Sequence, residues 1–554
     1  MEVTKRYAGQ SGVAHGDHDS RISFSPDLLR EPAYFVGNVS NHVNFREAIS
    51  TLHHVVVSDM RFMPKDRTEY FAWLETQKGQ MLAEAASAGK AASEKVAGLR
   101  EELRHLTSQQ NELLSPYYKA QKHYFDWIYK ANFDAWIVLD PVIAVHPDEV
   151  SFECFSTDES TYGRLSCDLE MFDNVGEFQN GVTNVDYSWD LYNAFQKIRS
   201  YRKTELRIEQ AGFTASTEQG QEIFEQKIDL PDTWMKGFLQ VSSAMTLPSH
   251  RVKFHPMDIH NLCFFLRRKK ERHSPRSIRI QLKPGAPVEM VFEPWNEKLV
   301  CPRAVYSGSE EIEIRLWGRR RLLILERLVP LAKSFEFHLL GTGLPSFVVA
   351  DLGPMKFTLG LSGWTANDWS RAGQFDLLAP RRRTSTDIRE RVFETIKQRW
   401  LGDVTEIANG AGVDRADAAS ALTALAQHGR VMFDLDKQVW RFRELTREVL
   451  PFDQLRFLSD EERVADELIN NGLVDVKQTN EHGATGVVVE NGREHSVTIE
   501  TDHDDRLVNA TCECHFYRKN RLRRGPCQHI LALRRQSAHR EFANVLKGPW
   551  GGAS

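Results

Sequence analysis

Four residues near the C-terminus have the types and the spacing of a metal site. Cys512 and Cys514 are separated by one residue, and twelve residues separate Cys514 from the next pair, Cys527 and His529. Three thiols and one imidazole are donors that a tetrahedral zinc ion takes in structural sites. Because the protein would fill all four positions, the pattern predicts one structural Zn²⁺ and no open position for catalysis.

The neighbouring sequence contains elements that could position these donors. A strand that ends at the first pair would place Cys512 and Cys514 on one face. Gly525-Pro526 supplies a turn with proline at a helix start, and the residues after His529 continue as a helix. Since Cys527 and His529 would diverge on a regular helix, at least one of them must lie in its cap or first turn.

A hairpin is predicted just before the site. Residues 487–490 and 495–500 are short strand-like runs, and Asn491-Gly492 between them is typical of a type I′ turn. The pattern C-x-C-x12-C-x-H, with a hairpin before it and a helix after it, resembles the SWIM zinc finger of bacteria, archaea and eukaryotes. The resemblance implies a zinc-stabilised ββα-type module, which we place at residues 455–545.

The segment around the second ligand pair is strongly basic, with no Asp or Glu between His515 and Arg540. Such a local cationic surface could bind phosphates or an acidic protein, with Phe516 and Tyr517 available for stacking. SWIM modules are associated with both kinds of partner, so the resemblance leaves both open. The residues predicted to form the surface are Arg518, Lys519, Arg521, Arg523, Arg524, Arg534 and Arg535.

The composition is that of a folded chain of several domains. With 554 residues, 41% of them hydrophobic and 27% charged, about three or four domains are expected. A net charge of −5 gives no global attraction to nucleic acid. Residues 1–20 do not have the pattern of a signal peptide and no segment approaches 18 apolar residues, so we expect a cytoplasmic protein without a membrane span. The remaining cysteines are scattered and predict buried free thiols: Cys154, Cys167, Cys263 and Cys301.

The N-terminal part is predicted to contain two regions. Residues 1–66 begin with a loose tail at 1–20 and continue with strands at Ile22–Ser25 and His54–Ser58 around a short helix near residues 45–52. Residues 67–131 have a heptad-like apolar pattern, interrupted at Ser115-Pro116, and predict a helical hairpin arm that packs on the body or binds a partner.

Residues 132–380 predict a mixed α+β body without internal repeats. The Gly- and Trp-rich segment 346–380 could form a docking surface, although we expect most of its aromatic residues to pack in the core. The strands expected in the body are Trp136–Val145, Thr204–Ile208, Ser277–Leu282, Val288–Phe292 and Glu311–Leu316. The helices expected there are Trp189–Tyr201, Trp234–Ser243 and Met257–Lys270.

Residues 384–446 resemble a winged helix domain in pattern and order. Helices are predicted at 386–400, 403–409 and 414–427, followed by a hairpin of residues 431–434 and 438–442. The side chains expected to be exposed on the third helix form a mixed set without net charge, which does not favour base recognition. These are Arg415, Asp417, Ser420, Thr423 and Gln427. Arg381, Arg382 and Arg383 could contact phosphates or form a solvated linker. We therefore expect docking or spacing from this unit.

No motif marks the chain as an enzyme. It has no P-loop, no second C-x-x-C array, and neither a G-x-S-x-G nor an H-E-x-x-H motif. Some bacterial SWIM proteins of similar layout accompany MoxR-type ATPases and von Willebrand A proteins, so the resemblance implies a non-enzymatic adaptor. Two alternatives stay open. One is a DNA-binding regulator that uses the winged-helix-like unit with the zinc module; the other is a nuclease or transferase in residues 135–380, with clustered carboxylates or histidines in a cleft.

Overall fold

The computed structural model describes residues from the N-terminal strands, the body and the zinc module. The described residues are 12–15, 19–24, 33–58, 141–184, 192, 195–201, 203–208, 232–270, 276–363, 369, 375–379, 384–445, 460–480, 483–501 and 507–545. The chain divides into a larger unit, residues 1–59 and 139–554, and a smaller unit, residues 60–138. The predicted helical hairpin at 67–131 and the arginines at 381–383 lie outside the described residues.

The elements of the larger unit are numbered here in chain order. The first seventeen strands are β1 (Gly12–His15), β2 (Asp19–Phe24), β3 (Phe35–Val39), β4 (Val142–Val145), β5 (Glu149–Phe155), β6 (Thr161–Asp168), β7 (Phe172–Asp173), β8 (Gly181–Asn184), β9 (Lys203–Ile208), β10 (His250–Phe254), β11 (Ile278–Leu282), β12 (Pro287–Phe292), β13 (Glu297–Val305), β14 (Ile312–Leu316), β15 (Ser334–Leu339), β16 (Ser346–Asp351) and β17 (Met355–Leu361). The later strands are β18 (Leu401–Gly402), β19 (Val431–Asp434), β20 (Val439–Phe442), β21 (Val474–Asn480), β22 (Gly483–Glu490), β23 (Arg493–Thr501) and β24 (Leu507–Cys512). The helices are α1 (His42–Val56), α2 (Asp232–Met245), α3 (Pro256–Arg268), α4 (Thr386–Arg399), α5 (Val404–Ala411), α6 (Arg415–Gln427), α7 (Asp460–Asn470), α8 (His515–Asn520) and α9 (Gln528–Val545).

Most of the strands form antiparallel sheets. The largest has the order β10-β15-β16-β17-β6-β5-β4-β8, and a smaller one has the order β13-β12-β11-β14. The N-terminal strands form a five-stranded sheet, β1-β2-β9-β3-β7, in which β2 and β9 run parallel. A 3₁₀ helix at Arg319–Leu328 packs on α1 and α3, and another at Phe375–Leu378 packs on α2. The predicted α+β class is confirmed, and among the described residues no helix is long and apolar enough to cross a membrane.

Strands β5 and β6 are covered by a helix on each face. α1 packs so closely on β6 that a side chain at Gly163 would lie 3.0 Å from Val55. α2 packs on the opposite face of β5, where a Cβ at Gly237 would lie 3.0 Å from the Phe155 ring. Glycine at these two positions lets both helices approach the sheet, and all seven residues of β5 are buried.

The N-terminal part differs from its prediction in two places. The strand predicted at His54–Ser58 is wrong, because α1 continues through Val56. Residues 12–15 form β1, paired with β2, and so are not part of a loose tail. The run Val55-Val56-Val57 favours a strand locally. The helix forms instead because its buried positions recur at helical spacing: Phe45, Ala48, Ile49, Leu52, Val55 and Val56.

The predicted elements of the body are largely present. β9, β11, β12, β14, α2 and α3 lie where the sequence predicts them. The strand predicted at Trp136–Val145 is described only from residue 141, where β4 follows. The helix predicted to end at Tyr201 stops earlier, since residues 196–201 form turns and irregular backbone. In the Gly- and Trp-rich segment, Trp369 is fully buried and stacks on Phe347, so its role is core packing. The four scattered cysteines are buried free thiols, as predicted.

The helices and the hairpin predicted within 384–446 are present as α4, α5, α6, β19 and β20. Asp403 caps α5 in a capping box with Glu406, and Asp414 caps α6. The expected exposure of Ser420 and Thr423 is wrong, because their exposed fractions are 1% and 2%. α6 is covered by α4, α5 and also by α2 of the body.

Buried charges join the β19–β20 hairpin to β5 and β6. Arg441 donates to Asp434 (2.7 Å), to Glu149 (3.0 Å) and, with both terminal nitrogens, to Asp148 (2.7 and 2.9 Å). Arg164 of β6 reaches both Glu149 and Asp434. Burial alone would raise the pKa of Asp434, but Arg164 and Arg441 outweigh it and hold that pKa well below its usual range. Each buried carboxylate is therefore paired with an arginine, and these ion pairs hold the β19–β20 hairpin against the body.

A buried histidine completes this junction. The Nε2 atom of His146 lies 2.9 Å from the carbonyl oxygen of Phe442 in β20, so the neutral ring donates that hydrogen bond. The ring packs edge-on against Trp400. Burial, with a smaller contribution from Arg441, lowers the pKa of His146 to about 3. The side chain is therefore neutral in the folded protein at ordinary pH.

Removing one cation from the network should destabilise the larger unit strongly. An Arg441→Met substitution leaves Asp434 and Glu149 buried with Arg164 as the one arginine between them, and we expect the free energy of unfolding to fall by about 3–5 kcal/mol. Lys298→Met is the control, since its ammonium is largely exposed (57%) and contacts Glu289 at 3.0 Å outside this network; it should contribute about 1 kcal/mol or less. Urea unfolding measures both, and equal losses would contradict the assignment.

Acid should destabilise the protein partly through His146. Because its pKa is depressed in the folded state, neutral His146 contributes stability above pH 6.5 that is lost as the pH falls towards its folded pKa of about 3. His146→Gln keeps a donor for Phe442 and no longer titrates. The slope of unfolding free energy against pH between 6 and 4 should therefore become shallower by up to about 1.4 kcal/mol per pH unit. Urea unfolding across this range measures the slope, and a slope equal to that of the wild type would contradict the role of His146.

Candidate metal centre

The four predicted ligands lie at the ends of three elements. Cys512 is the last residue of β24, and Cys514 caps α8 by accepting a hydrogen bond on its Sγ from the Tyr517 amide at 3.3 Å. Gly525 has a φ of 90°, which turns the chain into Pro526 and Cys527 ahead of α9. His529 is the second residue of α9. Cys527 thus precedes the helix while His529 lies in its first turn, as the sequence predicts.

The donor atoms converge in a buried position. All four side chains are buried, with Cys527 and His529 fully so. Their donor atoms lie within 4.8 Å of one another, and Cys512 Sγ is 3.8 Å from His529 Nδ1. Tetrahedral zinc with ordinary bond lengths would place a sulfur and a nitrogen donor about 3.6 Å apart. The donor set and its spacing fit one zinc ion.

The charges of this cluster also require a cation. Hydrogen bonds from Cys512 and Cys527 lower the pKa of Cys514, whereas proximity to the sulfurs of Cys512 and Cys514, with burial, raises the pKa of Cys527. Three neighbouring thiolates are therefore not stable together without positive charge. A zinc ion supplies that charge and makes folding of this region depend on metal.

Glu490 supports the histidine from the side opposite the sulfurs. With Nδ1 facing the cysteines, His529 Nε2 carries the proton, and it lies 3.1 Å from Glu490 Oε2, although the N–H is poorly aligned with that oxygen. Gln528 Nε2 lies 3.2 Å from each Glu490 oxygen and holds the carboxylate in place. Carboxylates in this position orient a zinc-bound histidine and increase its basicity. The sequence pattern missed Glu490, which is 39 residues from His529 and is brought near only by the β22–β23 hairpin.

A second cluster shares His529 with the first. The donor atoms of Glu490, His495 and His529 lie within 4.8 Å of one another, and among the described residues these two clusters are the groups that could hold a metal ion. A second ion would have to displace the Nε2 proton of His529 and leave an imidazolate. We therefore interpret Glu490 as a support for the zinc-bound imidazole and His495 as a ring packed on it, with centroids 4.3 Å apart.

Part of the predicted basic surface is accessible. Arg518, Lys519, Arg521 and Arg524 are exposed on α8 and in the turn after it, and we call these four residues the basic face. Arg523 is partly exposed. The aromatic residues beside them differ, because Phe516 is partly exposed whereas Tyr517 is buried and donates its hydroxyl to the Ala510 carbonyl at 2.5 Å. Tyr517 is therefore a core residue, and its predicted stacking role is wrong.

Arg534 and Arg535 do not belong to that surface. Arg534 is buried and donates to the carbonyls of Leu377 and Ala379 at 3.2 and 3.0 Å. Arg535 donates to Glu462 and Asp466 of α7 at 2.5 and 2.6 Å. Their prediction as binding residues is corrected, because both point into packing contacts of α9. Arg534 attaches α9 to the 3₁₀ helix Phe375–Leu378, and Arg535 attaches it to α7.

Removing Glu490 should weaken the metal site without removing a ligand. Glu490→Ala leaves the four donors in place but frees the His529 ring, so we expect roughly 10- to 100-fold weaker zinc binding. Competition against a chromophoric chelator measures the affinity. Glu494→Ala removes an exposed carboxylate from the same hairpin and should bind zinc as the wild type does; equal affinities for both variants would contradict the role of Glu490.

Comparisons with known proteins address this region directly. Residues 495–533 match the family model of the SWIM zinc finger. No curated protein sequence matches the chain. Among solved structures, proliferating cellular nuclear antigen from Entamoeba histolytica is similar over 40% of this chain and 88% of its own, with 8% identity and a TM-score of 0.30, a level that supports no functional argument. The match and the convergent donors together identify the C-terminal part of the chain as a SWIM zinc finger, in which Cys512, Cys514, Cys527 and His529 fit one structural zinc ion.

Proposed function

We propose that the protein is a zinc-dependent adaptor that binds a polyanionic partner, an acidic protein or a nucleic acid, through the basic face. The observation that carries this proposal is the exposure of Arg518, Lys519, Arg521 and Arg524 between the two ligand pairs. Zinc closes this segment into a fixed loop, which concentrates four cations on a chain whose net charge is −5. Because the conformation of this loop depends on zinc, binding of a partner through the basic face should also depend on zinc.

The unit of α4, α5, α6 and the β19–β20 hairpin has the element order of a winged helix, and we propose a docking role for it. Two observations support docking over duplex recognition. The third helix, α6, is buried along most of its length, including Ser420 and Thr423. The hairpin directs Arg441 and Arg443 into ion pairs with the body. A winged helix reads DNA with its third helix in the major groove and its hairpin beside it, so a regulator that uses this unit on duplex DNA is disfavoured.

Among its described residues, the body carries no arrangement that favours a nuclease or transferase. Its clustered carboxylates, Glu149 and Glu153, are buried and paired with Arg164, Arg441 and Arg443. Within the described residues of 135–380, no three His, Cys, Asp or Glu side chains are grouped to hold a metal ion. These observations support a non-enzymatic role. An acidic surface on a MoxR-type ATPase or a von Willebrand A protein is the protein partner that we propose.

Partner capture with matched variants tests the adaptor proposal. Wild-type protein should recover a partner that is lost both in Cys512→Ser/Cys527→Ser and in a variant with Gln at all four positions of the basic face. The Gln variant must still bind zinc, which separates loss of the surface from loss of the fold. Partners that survive nuclease treatment indicate an acidic protein, and partners lost with nuclease indicate nucleic acid. Unchanged recovery by the zinc-loaded Gln variant would contradict the proposal.

A further inference from the structure

A cleft opens beside the zinc site, between the turn of the β22–β23 hairpin and the first turn of α8. Its volume is about 490 Å³, within the range of sites that enclose a small organic group. It is lined by Asn491, Arg493, His495, His515 and Phe516, and by four residues at the zinc site: Glu490, Cys514, Gln528 and His529. The cleft therefore lies where the starts of α8 and α9, which carry the zinc ligands Cys514 and His529, meet the hairpin.

The walls offer flat rings and positive charge. Phe516, His495 and His515 present three ring systems to one space, and Arg493 is exposed at its mouth. The one acid of the lining, Glu490, is held by Gln528 and His529. A space of this size lined by rings and cations suits a nucleobase. Any of the bases can stack on aromatic side chains, so the cleft need not select one of them.

The cleft is continuous with the basic face through α8. His515 lines the cleft, and Arg518 and Lys519 follow it by three and four residues, which places all three on one side of a helix. All three are exposed. Glu494 and Glu513 are also exposed, and Glu513 interacts electrostatically with His495 of the cleft. The cations available to the phosphates of a strand that leaves the cleft are therefore those of α8, Arg518 and Lys519.

We propose that this cleft binds one unstacked base of a single-stranded nucleic acid, while Arg518 and Lys519 contact the neighbouring phosphates. The inference rests on the proposed function of the basic face and names its ligand class. A single strand is required, because a base can enter only when it is free of a duplex stack. Burial of α6 agrees with this choice, since it leaves the chain without the exposed third helix that a winged helix inserts into duplex DNA.

Fluorescence anisotropy of the zinc-loaded full chain tests the proposal with three probes: a 15-nucleotide single strand, an abasic phosphodiester of the same length and a 15-base-pair duplex. We expect the base-containing strand to bind about tenfold more tightly than the abasic strand, as one stacked base provides. Phe516→Leu should remove this difference and leave abasic binding unchanged. Arg493→Gln, at the exposed mouth, provides a second variant of the cleft should Phe516→Leu fold poorly.

Charge variants separate the cleft from the basic face. Arg518→Gln/Lys519→Gln should weaken both single strands together and make binding less dependent on salt. The β22–β23 hairpin belongs to a four-stranded sheet with the order β21-β22-β23-β24. Lys477→Gln removes one exposed charge from the edge strand β21 and should leave the affinity for all three probes unchanged. Equal affinity for the base-containing and abasic strands would overturn the proposal that the cleft binds a base. It would leave the basic face as a site for polyanions. Tighter duplex binding, or no binding of any probe, also overturns the cleft; in the last case partner capture alone decides whether the adaptor binds protein.

Discussion

Burial of like charges in one place is the constraint on which this architecture depends. Glu149 and Asp434 come from distant parts of the chain and meet in the interior, where neither carboxylate is stable alone. Arg164 and Arg441 compensate them, one from each side of the junction. Because each arginine reaches acids of both segments, the β19–β20 hairpin cannot separate from β5 and β6 without exposing unpaired charge. The position of α4, α5 and α6 over the body follows from this pairing.

At the zinc site, buried negative charges are likewise compensated by a cation, which here is a metal ion instead of an arginine. Cys512, Cys514 and Cys527 bring three sulfurs together where no side-chain cation is available among the donors. The ion that neutralises them also fixes two helix starts and the loop between them. Glu490 then aligns His529 from a strand that belongs to the hairpin. The need to neutralise three sulfurs thus fixes the positions of the segments that form the basic face and the cleft beside it.

The zinc ligands could be predicted because their chemistry is local. Residue type and spacing alone specify three thiols and one imidazole, and the turn at Gly525-Pro526 marks the helix start. The helices α4, α5 and α6 were equally clear, since Ser385, Asp403 and Asp414 cap them. In each of these cases the signal lies within a few residues of the feature that it predicts.

The unpredicted features depend on contacts between distant residues. Strands β5 and β6 were missed because Glu149, Glu153 and Arg164 make them look half-exposed. The ion pairs bury the face that carries these charges, and α1 covers the other face. α1 ends in a run of valines that favours a strand until it packs on Gly163. Arg534 and Arg535 have the composition of a binding surface, and only their partners reveal them as packing residues. Sequence alone gives the charge of a residue but not the direction in which it points.

The attachment of α9 has a consequence for how metal and fold are linked. Arg534 donates to backbone carbonyls at Leu377 and Ala379, and Ile530, Leu531 and Leu533 lie in an apolar core that is continuous with that of the body. Zinc that binds only the folded finger therefore stabilises these contacts of α9 as well, by an amount that grows with the ratio of free zinc to its dissociation constant. Loss of the metal would loosen the contacts of α9 with the 3₁₀ helix Phe375–Leu378, so the effect of the ion extends beyond its four ligands.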